Sequence, residues 1–364
     1  SQTTWTFSLA ILMLGLSAGF LGSFAEKIGP KKSGLLAMLF WVTGLLGTAY
    51  ALSIHNLTLL YLFYGIISGI GLGIGYITPV STLVKYFPNR PGFATGLAIM
   101  GFGFASLIAG PLMQYLVAQV GLVDTFIILG VIYLVIMGAS SLYLKAPQPK
   151  HSTRTTKDRS TMYVHTHGML ANDAMKTWQF GALWWVFFIN ITCGIGLLSL
   201  ASPMAQEAIG MTPAAAASLV GIIGIFNGGG RIAWSTISDY LGRAQTYILF
   251  FIIEIVAFYL LAKTNSTLTF QILILLIITC YGGGFSCMPA YLADLYGIRQ
   301  LSTIHGRILT AWGLAGIVGP MLVSYFHEAG YGYTTALECF AALFVLNTII
   351  AIVLKIYGKR ELHN

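Results

Sequence analysis

Arg231 is the residue whose type and position most call for a chemical explanation. It ends the run Asn227-Gly228-Gly229-Gly230-Arg231, inside an apolar segment that begins near Thr212 and closes at Ser238-Asp239. The eight residues from Arg231 to Asp239 span about 12 Å of helix at a rise of 1.5 Å per residue. If Asp239 marks the water boundary, Arg231 lies near the middle of a hydrocarbon layer about 30 Å thick. Placing a guanidinium there costs roughly 2.5–3.5 kcal/mol on insertion scales. A structural ion pair or a snorkelling side chain is the plain explanation. The sharper one is an anion-binding residue facing a water-filled cavity, and that reading is adopted.

Other chemistry-bearing residues are few. Glu254 sits at mid-depth of an apolar segment, where carboxylates often relay protons; a protonated or paired structural role is the favoured reading over that one. Asn190 is a mid-span polar residue expected to hydrogen-bond a neighbouring helix. His165 and His167 form an i, i+2 pair with no acid or cysteine nearby, so no metal site is expected. Gly15-Leu16-Ser17-Ala18-Gly19 matches the G-x-S-x-G nucleophile elbow, but that motif needs a strand-to-helix turn and here lies in an apolar helix. Gly65, Gly69, Gly71, Gly73 and Gly75 are followed by no lysine-serine pair, so they form no phosphate loop and read as packing positions. No credible nucleophile-base pair or acid-histidine cluster is present. An enzyme is therefore disfavoured, and no cofactor is expected.

The elements that must position these residues follow from composition. With 57% apolar and 8% charged residues and a mean hydropathy of +0.81, the chain reads as an all-α polytopic membrane protein. Eleven spans are predicted, at 5–24, 34–53, 58–81, 93–118, 123–144, 178–201, 213–236, 246–263, 268–292, 303–325 and 333–355. Cys193, Cys280, Cys287 and Cys339 all fall inside spans, which suggests no disulfide framework. A net charge of +8 is in itself a feature of nucleic-acid binders. Its placement argues against one, because every lysine and arginine except Lys263 and Arg231 falls on one side of the predicted topology. That asymmetry is the positive-inside pattern, which places the basic loops and the C-terminus in the cytoplasm. The first visible span then enters from outside, so one earlier helix is expected to be missing from this sequence.

Two echoes run through the chain. Glu26-Lys27-Ile28-Gly29, followed by Lys31 and Lys32, returns 213 residues later as Asp239-Tyr240-Leu241-Gly242-Arg243; Gly110-Pro111 returns 209 residues later as Gly319-Pro320. Two homologous halves follow, residues 1–144 and 178–364, joined by a flexible cytoplasmic linker at 145–177. Paired halves with a midplane site are a transporter architecture. The acid-x-x-Gly-basic loops resemble the cytoplasmic loop signature of the major facilitator superfamily, with Glu26 where aspartate is usual. Tyr86-Phe87-Pro88-Asn89-Arg90-Pro91-Gly92 and the glycine run ending in Arg231 resemble the oxalate/formate antiporter branch and its monocarboxylate-transporter relatives. The resemblance implies two six-helix halves with the first helix absent here.

It also implies site roles. Tyr76, Tyr281 and Phe285 match cavity aromatics of the oxalate exchanger. Aligning His305-Gly306 with the Tyr-Gly of that family puts Trp312 where the exchanger has a second cation. Glu26, Asp239 and Arg243 would form cytoplasmic ion pairs that make and break during transport. From its place in the chain, the pair His305 and Arg307 stands at the cytoplasmic mouth of span 303–325, where a gate contact and plain anchoring fit equally. The expected function is secondary transport of a small carboxylate by alternating access, with Arg231 holding the carboxylate as a forked pair. A monocarboxylate such as lactate, pyruvate or formate is favoured, by proton symport or by exchange, with Glu254 the visible proton carrier. An oxalate/formate-type exchanger and a non-transporting membrane receptor are the alternatives. A monomer in the inner membrane, surrounded by lipid, is expected.

Overall fold

The structure is a computed structural model that describes residues 4–146 and 168–358. The described residues are helical with short connections. In chain order the long helices are α1 (Thr4–Ile28), α2 (Pro30–Ser53) and α3 (Leu57–Tyr86), then α4 (91–120) and α5 (122–143). They continue with α6 (Trp178–Glu207), α7 (Pro213–Leu241), α8 (Arg243–Lys263), α9 (Thr267–Tyr296), α10 (Leu301–Phe326) and α11 (Gly332–Tyr357).

Among the described residues ten continuous helices are long and apolar enough to cross a membrane. One of them, Pro91–Tyr143, is 53 residues long and breaks at Gly121, where φ is 83° and ψ 174°. That break divides it into α4 and α5, and eleven spans result. Local signals set the ends. Pro30, Pro91 and Pro213 occupy first-turn positions, where the missing N–H has no helical partner to lose. Thr212 caps α7 by accepting from the Ala215 N–H at 3.2 Å.

The echoing loops share one backbone shape. Gly29 has φ 80° and ψ 166°, and Gly242 has φ 93° and ψ 149°. This region is essentially closed to residues with a Cβ, so one conformation, open only to glycine, turns the chain at corresponding places in both repeats.

The chain divides into two compact units. The first holds Ser1–Pro91, Gly110–Thr177 and Leu292–Leu314. In it α1 packs along α3 and along the first turns of α10, and α2 packs along α3. The α1–α10 approach is close enough to require glycine: a Cβ on Gly15 would lie 2.6 Å from the Leu309 carbonyl oxygen, and one on Gly22 would lie 2.9 Å from that of Ser302. Ser17 of the G-x-S-x-G match lies within α1 and donates to the Leu14 carbonyl at 3.1 Å. Residues 168–177 of the expected linker are bonded within this unit. Met169 N–H donates to the Tyr296 carbonyl at 2.8 Å, Ala171 N–H donates to Gln300 Oε1 at 2.7 Å, and Arg307 holds Asn172. His165 and His167, and residues 147–167 of the expected linker generally, lie outside the described residues.

The second unit holds Gly92–Ala109, Trp178–Tyr291 and Ala315–Asn364. Here α8 runs along α11, with Phe251 and Phe258 each packed on the Phe344 ring at 5.6 Å between centroids. Outward positions in both units carry large apolar side chains, among them Phe20, Ile108, Val135, Ile272 and Ile349. A surface of that kind suits lipid rather than water.

Candidate functional site

In the second unit Arg231 is buried in α7. Its Nε donates to Asn227 Oδ1 at 3.2 Å, one helical turn earlier, and its Nη1 to the Ile99 carbonyl of α4 at 3.4 Å. The guanidinium carbon lies 5.0 Å from the centre of the Phe285 ring, a cation–π distance. Phe285 in turn meets Tyr281 edge-on at 5.3 Å and Phe187 at 5.2 Å. The backbone behind the arginine is fixed as well: Ser286 Oγ donates to the Arg231 carbonyl at 2.7 Å, and Thr95 Oγ1 donates to the Ser286 carbonyl at 2.6 Å. Three helices thus hold one planar cation against an aromatic wall, an arrangement suited to a small carboxylate.

Of the residues expected to bind substrate, Arg231, Tyr281 and Phe285 come together here. Tyr76 and Trp312 come together in the first unit, with ring centres 5.3 Å apart and both side chains buried. Asn227, Phe187, Ser286 and Thr95 were not anticipated. Only Asn227 carried a local signal, because i and i+4 positions share a helix face; the others meet Arg231 through tertiary packing.

The expected gate residues have a more definite partner than ion pairing alone. In the first unit Glu26 accepts from the Ser302 N–H at 3.3 Å and from Thr303 Oγ1 at 2.9 Å, in the first turn of α10. Lys85 is 3.9 Å away, and a cavity of about 300 Å³ beside the carboxylate gathers Lys27, Lys85 and Arg299. In the second unit Asp239 accepts from the Gly92 and Phe93 N–H groups at 2.8 and 2.9 Å, in the first turn of α4. Arg243 pairs with Asp239 at 2.6 Å and also holds Ser238. Each repeat therefore sets its loop acid on the first turn of another helix, through two N–H groups at Asp239 and through one N–H group and a hydroxyl at Glu26, where the dipole favours negative charge. Gly92 has a physical reason to be glycine, since a Cβ there would sit 2.7 Å from Asp239 Oδ1.

Two buried polar residues differ from expectation or stand apart. Asn190 makes no side-chain hydrogen bond among the described residues. The neighbour it faces is Gly284, whose carbonyl is already taken by the Tyr247 hydroxyl at 2.6 Å. Glu254 is buried in α8, and its Oε2 has no partner among the described residues.

Membrane-length helices, duplicated loop geometry and a buried guanidinium describe a polytopic membrane protein. The Major Facilitator Superfamily model matches residues 1–249 and 183–362, and the chain belongs to that family. It is similar to the uncharacterized MFS-type transporter YhjX of Escherichia coli K12, at 29% identity over 87% of this chain and 77% of that protein. It is also similar to the oxalate:formate antiporter of Oxalobacter formigenes, at 24% identity over 92% of this chain and 77% of the other. With human monocarboxylate transporter 14 it shares 22% identity over 96% of this chain and 82% of that protein. Among solved structures, the human organic anion transporter MFSD10 matches the fold with a TM-score of 0.75, at 15% identity, over 96% of this chain and 83% of that one. These relatives are transporters rather than enzymes, and the chain is a multi-pass membrane transporter of the same superfamily.

Proposed function

We propose that this transporter carries a small monocarboxylate, such as pyruvate, lactate or formate, by alternating access. The observation that carries the proposal is Arg231, a buried guanidinium held between Asn227, the Ile99 carbonyl and the Phe285 ring. Its planar fork matches a carboxylate. The names of the oxalate:formate antiporter and the monocarboxylate transporter support this substrate class. Charge balance narrows it further. Trp312 occupies the position where the exchanger resemblance implies a second cation, so one carboxylate is matched and a second would be left uncompensated in a low-dielectric setting. The Tyr76–Trp312 pair is assigned the apolar part of recognition, and Tyr281 with Phe285 the wall beside the carboxylate.

Residues 1–144 and 178–364 act as the moving halves, with 145–177 joining them. Glu26, Asp239 and Arg243 are the contacts that release and re-form in each cycle. The protein sits in the inner membrane with its C-terminus in the cytoplasm, a placement supported by the one-sided lysines and arginines. Proton symport is the favoured coupling if Glu254, with its unbonded buried oxygen, takes up a proton during the cycle; exchange of one carboxylate for another is the second reading.

Counterflow of labelled pyruvate in proteoliposomes, against lactate, formate, acetate and oxalate with and without a pH gradient, tests all of this. Pyruvate and lactate are expected to compete and oxalate to compete poorly. Tighter binding of oxalate than of pyruvate at neutral pH overturns the monocarboxylate assignment. Absence of any carboxylate flux overturns the substrate class.

A further inference from the structure

His305 lies on the second turn of α10 and is fully buried in the first unit. Neither ring nitrogen has a hydrogen-bond partner among the described residues. Its ring is 5.8 Å from that of Tyr76 on α3, the residue that also meets Trp312. Gly306, the next residue, is pressed onto α1 at the Ala18 carbonyl. His305 therefore occupies a tight seam where α1 and α3 meet the start of α10.

None of the described charged groups around the seam bonds the imidazole. On α1, Glu26 accepts from Ser302 and Thr303, one turn before His305, and Lys27 faces the neighbouring cavity. On α3, Lys85 lies by Glu26, and Tyr76 presents its ring. On the turn Ala171–Ala174 that packs against α10, Asp173 pairs with exposed Lys176. On α10 itself Arg307 turns away to Asn172 and Met175. No carboxylate or carbonyl among the described residues accepts from the imidazole.

A neutral imidazole has one donor and one acceptor, and an imidazolium has two donors. Leaving both nitrogens unbonded in a core is costly, and a buried cation with two unmatched N–H groups is costlier still. A protonated ring is thus incompatible with the packed seam and compatible with a seam that has parted and admitted water. We propose that His305 is a proton-binding site that sets the opening of the α1–α3–α10 seam: the packed seam holds the ring unprotonated, and a proton bound from water keeps the seam parted. The proposal deepens the transporter reading by naming where the cycle would sense protons, and its test needs no substrate.

Hydrogen–deuterium exchange of the intact protein in lipid nanodiscs, at pH 7.5 and pH 5.5 and corrected for intrinsic rates, reads the seam directly. An exposed histidine titrates near pH 6.5, so this drop favours the parted state by about tenfold. Peptides covering 18–28 and 301–309 should exchange about tenfold faster at pH 5.5. His305→Phe and His305→Gln should both abolish that pH step, whereas Glu26→Gln should raise exchange at both pH values and keep the ratio. A step that persists in either folded histidine variant, or disappears in Glu26→Gln, overturns the assignment, as does its absence from the unmodified protein. Pyruvate counterflow in the same preparations reports separately on the carboxylate reading: a pH step without flux keeps the proton site and removes that substrate, and flux without a step does the reverse.

Discussion

Arg231 is held by a side-chain carbonyl one turn away, by a main-chain carbonyl and by a ring, so its position is set before any ligand arrives. A lysine there keeps the charge but loses the fork and the stacking on Phe285. Replacing a charge-assisted hydrogen-bond pair in this way removes about 1.5–3 kcal/mol. Arg231→Lys is expected to weaken pyruvate binding by about ten- to a hundredfold, measured on purified protein; near-normal affinity would take Arg231 out of the site. Trp312 tests the charge balance in the opposite direction. Trp312→Lys restores a second cation, and oxalate affinity should rise relative to pyruvate by about tenfold or more, given the strength of paired charges at a few ångströms in a protein. Glu254 tests the coupling. Glu254→Gln should abolish pyruvate accumulation driven by a pH gradient and spare pyruvate–pyruvate exchange; continued accumulation would leave Glu254 a packing residue of α8.

At the scale of helices and loops, Gly29 and Gly242 make a strict demand. A Cβ on Gly29 meets nothing within 4 Å, so any cost of adding one is backbone strain alone, of about 1–3 kcal/mol. Gly29→Ala and Gly242→Ala should each lower the melting temperature in detergent. Gly101→Ala, in an open helical position, should leave it unchanged or raise it slightly. Equal melting of all three would remove the strain argument. These loops were legible in the sequence because acid, glycine and base stand at fixed local spacing. Span positions were legible too, since each apolar run reports its own transfer to lipid. The bend at Gly121 followed from two predicted spans with only a few residues between them. The partners of the acids were not legible. Nothing local to Glu26 or Asp239 indicates that the first turns of α10 and α4 supply their N–H donors, hundreds of residues away in one case. Asn190 misled for the same reason, because a polar residue in an apolar run announces a need for a partner but not whether its neighbour can meet it.

For the whole molecule, hydropathy says which segments enter lipid and leaves open which of them pack together; the division of α4 and α10 between the two compact units is visible only in three dimensions. Orientation, by contrast, rests on charge that any reader of the sequence can count. With the lysines and arginines inside, a green fluorescent protein fused after Asn364 should be bright and an alkaline phosphatase fused at the same point inactive. The reverse pattern would invert the topology. The loop acids bear on how such a chain can change over time. Asp239 closes on the main-chain amides of Gly92 and Phe93, and Glu26 on the main-chain amide of Ser302 with the Thr303 hydroxyl. A latch that grips backbone is indifferent to most of the side chains on the helix it grips. Substitution can therefore sweep through most of the first turns of α4 and α10 without loosening it, provided that Gly92 stays small, Thr303 keeps a hydroxyl and each repeat keeps one acid and one glycine at the bend. Under the gating role proposed for these acids, the selective burden of closing the protein falls on a handful of positions, and the rest of the sequence is left to drift toward new cargo.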